Sequence, residues 1–198
     1  MKKLLTAGLV LLCSFALAQT PAPAQRLRGT VKSFDGSTLV VTERGGETVS
    51  LVLADNFAVS EVVPIDPAAI RVGSFIGTAA TSDAEGNLRA LEVLVFPEAA
   101  RGTGEGHSAW DLQPGSTMTN ATVAELAATP RGRSLKLRYK DGEKTVVVPD
   151  DVPIVTIKPG DRSLLVAGAK VLITAQSREG KPTALRALAG RDGFAPPM

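Results

Sequence analysis

The side chains best suited to chemistry gather in one stretch, residues 97–119. It holds the only His of the chain (His107), its only Trp (Trp110), the carboxylate of Asp111 and the thioether of Met118. Imidazole and thioether together are soft donors suited to Cu(I), and the face of an indole attracts a cation. His107 and Met118 therefore form a candidate metal pair, which Met198 joins only if the C-terminus folds back. The other reading starts from the apolar area of the Trp110 ring, which calls for burial. On that reading Trp110 plugs an interface between larger elements. His107 and Asp111 then satisfy polar groups beside it or, with Trp110, line a ligand site.

Catalytic machinery is not assembled by the remaining candidates. Ser116, Thr117 and Thr119 have no base partner to activate a hydroxyl. Asp150 and Asp151, between Pro149 and Pro153, read as solvated turn carboxylates. The run Gly102-Thr103-Gly104-Glu105-Gly106 lacks the Lys-Ser/Thr pair of a phosphate loop and reads as a flexible linker. Asn120-Ala121-Thr122 fits a glycosylation sequon but opens a predicted strand. No enzyme activity and no cofactor are expected.

Composition narrows the classes further. The 198 residues include 22 Lys+Arg and 20 Asp+Glu, with 44% hydrophobic residues, which describes an ordinary globular chain. A single Cys excludes a disulfide scaffold, and a single His excludes a multi-His zinc site. Residues 1–18 have the layout of a cleaved secretory signal: Lys2 and Lys3, an apolar stretch that includes Cys13, then Ala16-Leu17-Ala18. Cleavage after Ala18 removes the Cys and two of the basic residues, leaving a neutral mature chain. A periplasmic location is expected, with no transmembrane span in the mature chain. Nucleic acid is not expected as a partner of a neutral, exported chain with few aromatics. The basic run Arg131, Arg133, Lys136, Arg138 and Lys140 alternates with Leu135, Leu137 and Tyr139, the pattern of a solvated outer strand face.

The elements that position the connector come in two copies. After a Pro/Ala spacer at 19–26, one unit covers residues 27–96 and a second covers 120–192, with a tail at 193–198. Thr30-Val31 answers Thr122-Val123, Gly46-Glu47 answers Gly142-Glu143, and Gly86 with Ala90-Leu91 answers Gly180 with Ala184-Leu185. The offsets drift between 92 and 96 residues, as loop insertions produce. Strands are predicted over 28–34, 38–43, 47–53, 74–81 and 88–95, and over 121–128, 134–139, 143–148, 169–175 and 183–189. Asp35-Gly36, Gly45-Gly46 and Asp141-Gly142 supply the turns. Before the fourth strand of each unit, Asp66-Pro67 and Gly160-Asp161 predict a helical turn. The fold expected is all-β: two tandem OB-like small barrels of about five strands each, one helical turn in each, joined by a Gly-rich connector.

The sequence resembles a family of exported bacterial β-barrel repeats. The residues that carry the likeness are Gly29-Thr30-Val31, Asp35-Gly36, Leu39-Val40-Val41, Val72-Gly73 and their second-unit partners, the connector run from Arg101 to His107, and Gly190-Arg191-Asp192-Gly193. Proteins of this kind are sometimes labelled metal ABC transporter permeases. A permease needs several spanning helices, and none is expected here after the signal. The resemblance implies a non-catalytic binding or interaction module of the cell envelope, with an envelope protein or glycan as partner. Periplasmic Cu(I) handling through His107 and Met118 is the alternative.

Overall fold

The computed structural model describes residues 23–197. The signal at 1–18, Cys13 within it, the start of the spacer and Met198 lie outside the described residues. The chain is all-β, with three single 3-10 turns as its only helical elements among the described residues.

The first unit supplies β1 (Gln25–Phe34), β2 (Thr38–Glu43), β3 (Thr48–Pro64), β4 (Phe75–Ser82), β5 (Leu88–Ala90) and β6 (Val93–Val95). The connector contributes β7 (Gly106–Ala109). The second unit supplies β8 (Thr117–Thr129), β9 (Gly132–Tyr139), β10 (Gly142–Pro149), β11 (Ile154–Pro159), β12 (Lys170–Arg178) and β13 (Lys181–Ala189). The turns form where the residue types demand. Asp35 Oδ1 accepts from the backbone N–H groups of Ser37 and Thr38, while Gly36 takes a φ of 96° that a residue with Cβ resists. Asp66 caps the 3-10 turn Pro67–Ala69 through Ala68 N, and Asp161 caps Arg162–Leu164 through Ser163 N.

One closed five-stranded barrel is formed by β1, β2, β3, β13 and β12. β1–β2, β2–β3, β12–β13 and β1–β12 are antiparallel, and the parallel pair β3–β13 completes the circuit. Its core holds Val31, Leu39, Val41, Leu51 and Ile173, each at most 1% exposed, and Leu164 and Leu165 of the 3-10 turn cap it. The further strands pair in a second circuit. β8–β9, β9–β10, β4–β5 and β4–β8 are antiparallel, and β5–β10 is parallel. Ile76, Val93, Val123, Leu135, Leu137 and Val146 are fully buried there, with Ile70 packed against them. Burying one such side chain contributes about 1.5–3 kcal/mol, so these two clusters dominate the fold.

This pairing differs from two units each closing on itself. The first three strands of one unit close with the last two strands of the other, and the helical turns follow the exchange. The length of β3 explains it. At about 3.3 Å per residue a 17-residue strand runs roughly 55 Å. Its first half pairs with β2, and its second half passes on to pair with β11, Val62 facing Ile157. The ten residues after it then deliver β4 to the neighbouring circuit. In the second unit the same path is split into β10 and β11 by the turn at Asp150-Asp151-Val152-Pro153. Residues 54–64 carry no Gly or turn dipeptide, so the strand predicted to stop at 53 continues.

The two circuits meet over a third apolar cluster, Val62, Leu94, Val155 and Leu172, flanked by Phe96, Ile157, Leu188 and Phe194. The connector lies beside this junction.

Candidate functional site

The connector is held by its own hydrogen bonds. Arg101 pairs with Glu98 at 2.6 Å and donates to Gly73 O at 3.0 Å. Asn120 Nδ2 donates to Thr103 O and Gly104 O at 3.1 and 3.2 Å, tying the Gly-rich run to β8. That run therefore forms consecutive turns fixed from both sides, in place of a flexible linker. The amide of the Asn120 sequon is engaged in this contact.

β7 then pairs with β8, and the loop between them is shaped by Ser116, which is 3% exposed. Its backbone carbonyl accepts from Trp110 N at 2.8 Å, and its hydroxyl lies 3.0 Å from Trp110 O and 2.7 Å from Gln113 O. This hydroxyl serves the loop geometry.

The loop presents Trp110 and Asp111 to the outer face of β1. Arg26 and Arg28 sit two residues apart on that face, while Leu27 between them points into the barrel core. The Arg26 guanidinium carbon lies 3.8 Å from the Trp110 ring centroid, and that of Arg28 lies 6.0 Å away. Asp111 accepts from Arg26 Nε at 3.1 Å on both oxygens and from Arg28 Nη2 at 2.9 Å. Partial burial pushes the Asp111 carboxyl up, but its bonds to Arg28 and Arg26 outweigh that and hold it below the usual range. The indole N–H of Trp110 is buried without an acceptor.

Trp110 forms one wall of a cavity of about 330 Å³ at the junction. Leu94, Phe96, Met118, Ile157, Leu172 and Leu188 line it, with Arg26 and Arg186 among the polar residues. Gly77 also lines it, and a Cβ there would come 2.5 Å from Asn120 Oδ1 and 3.1 Å from Phe96 Cε2. The volume lies at the lower end of small-ligand sites, and an apolar lining with a few polar groups is the usual make-up of such sites.

The sequence candidates divide between two places. Trp110, Asp111 and Met118 are at or beside this cavity. His107 is not: it pairs across the ladder with Thr119, whereas Met118 pairs with Ser108. Successive side chains of a strand point to opposite faces, so His107 and Met118 diverge and do not form the candidate metal pair. His107 Nδ1 shares a hydrogen bond of 2.8 Å with Thr119 Oγ1 and faces a separate surface depression with Tyr139, Asp141 and Lys144. Partial burial, reinforced by the charge of Lys144, holds His107 below its ordinary pKa of 6.5. Among the described residues no group of three or more His, Cys, Asp or Glu side chains could hold a metal ion.

Arg26, Arg28 and Arg186 were not legible as residues at or beside the cavity, since charged residues on strands read as a solvated face, and the burial of Glu92 was not legible either. Glu92 falls in the break between β5 and β6, is 1% exposed, and has no partner for either carboxylate oxygen. Burial pushes its pKa up to about 8, against the pull of Arg28. The other buried glutamate, Glu61, is also pushed up by burial, but Arg191 at 3.0 Å and Lys158 at 3.4 Å hold it below the ordinary range. The basic hairpin forms a salt-bridged face, with Lys136 3.3 Å from Glu125 and 3.4 Å from Glu143.

No family model, curated protein or solved structure matches this chain.

Proposed function

We propose that this chain is an exported, non-catalytic binding module of the bacterial cell envelope, built from two OB-like barrels whose ligand site is the cleft where they meet. The observation that carries the reading is the 330 Å³ apolar cavity walled by Trp110 and reached by Arg26 and Arg186. In strand order each circuit runs first, second, third, fifth, fourth, with third and fifth parallel. This order supports the OB-like assignment, a barrel type that binds extended ligands at its surface. Export rests on residues 1–18, and a periplasmic fraction whose N-terminus begins at Gln19 is its test.

The binding reading is tested with Ala100→Phe, which places a ring in the cavity wall without touching either barrel core. The immobilised mature protein is expected to retain an envelope component that the variant loses while keeping its thermal transition. Identical retention by both proteins, or turnover on a hydrolase panel, would overturn the reading.

A further inference from the structure

We propose that the cleft takes an anionic amphiphile, an acyl chain ending in a carboxylate or similar head, with Arg186 as the residue that selects its charge. This rests on the cleft being the ligand site and adds the chemical class of the occupant. The argument is charge complementarity. The only charged residues in the lining are Arg26 and Arg186, and both are cations. Arg26 is already committed to Asp111 and to the Trp110 face. Arg186 is exposed, and its Nε donates to the neutral hydroxyl of Thr174 at 3.0 Å. Among the described residues it has no carboxylate partner.

The wall between the two arginines is hydrocarbon: Leu94, Phe96, Ile157, Leu172 and Leu188. An apolar chain buried against these side chains gains hydrophobic energy in proportion to its area. A head group that stays at the rim meets a guanidinium able to bind an oxyanion through two N–H groups. A cationic head would meet Arg186 with like charge, and a neutral head would forgo the charge-assisted bond.

Trp110 is the only tryptophan, so its fluorescence reports the site directly. The mature protein is titrated with dodecanoate, dodecanol and dodecyltrimethylammonium, each below its micelle concentration. Dodecanoate is expected to bind up to about fivefold tighter than the other two, the scale of a solvent-exposed ion pair. Arg186→Gln is expected to erase that preference and leave the dodecanol affinity unchanged, which a merely unfolded variant would not do. Equal binding of all three amphiphiles would overturn the charge inference while leaving the cleft reading in place. Silence towards all three also overturns it. In that case the Ala100→Phe retention experiment decides separately whether the cleft itself is the site.

Discussion

Replacing Glu92 with Gln tests how firmly the interior around this carboxyl excludes water. The carboxyl is 1% exposed, both oxygens lack partners, and its pKa stands at about 8 against an ordinary 4.5. A carboxyl whose folded-state pKa is raised holds its proton more tightly when folded. Its contribution to stability is therefore complete below pH 4.5, falls as pH rises from there, and is fully lost above about 8. At about 1.4 kcal/mol per tenfold, the gap between the two values corresponds to about 5 kcal/mol across that window, of which about 3 kcal/mol is lost by pH 7. Glutamine keeps the shape and cannot ionise. Urea unfolding of the mature protein at pH 5, 7 and 9, followed by far-UV circular dichroism, is the assay. Asp35 and Asp111, whose carboxyls are held below the usual range, shift stability in the opposite sense, but equally in both proteins. The difference between wild type and Glu92→Gln isolates the one carboxyl. The variant is expected to gain on the wild type from pH 5 to about 8 and to hold that gain at pH 9. Parallel pH profiles would refute the reasoning, because they would mean that water or a cation reaches Glu92 and keeps it ionised.

Three further outcomes follow from the geometry. A double-mutant cycle on Arg26→Gln and Trp110→Leu is expected to give a coupling of about 0.5–1 kcal/mol, the scale of a partly exposed cation–π contact, and a coupling of zero would show the stacking to be incidental. Gly132 has a φ of 137°, and a Cβ there would collide with Val148 O, so Gly132→Ala is expected to cost more than about 2 kcal/mol in urea unfolding. Because each circuit draws strands from both units, chains 23–103 and 104–197 expressed separately should show no monomeric cooperative transition and should regain one when mixed; a cooperative monomer from either half alone would contradict the exchanged pairing.

Much of the strand content was readable because it depends on near neighbours. The alternation Val49-Leu51-Leu53, the Asp35-Gly36 turn and the Asp66 and Asp161 caps each need only a few consecutive residues, and the structure contains all of them. The site was readable in part. The rarity of Trp110 drew attention to a residue that walls the candidate cavity, and Asp111 stands beside it with two arginines. Glu92 escaped because the run from Leu88 to Val95 reads as one alternating strand. The break between β5 and β6 shifts its phase, so Ala90 and Val93 both face the core and Glu92 is buried without a partner. The metal pair failed for a related reason: the ladder register of β7 on β8, which no composition argument supplies, sends His107 and Met118 to opposite faces.

The sequence by itself determined the all-β class of the fold and the stretch where unusual side chains collect, because periodicity, turn chemistry and residue counts are local properties. Only the tertiary structure decided which strands close with which. That choice turned on the uninterrupted length of β3, whose second half carries the chain out of its own circuit and into the neighbouring one. The same exchange created the junction, and with it the cavity that Trp110 walls, from residues more than 90 positions apart such as Leu94 and Leu188. Strand pairing joins distant segments through backbone hydrogen bonds common to all residues, so its partners are fixed by packing in three dimensions.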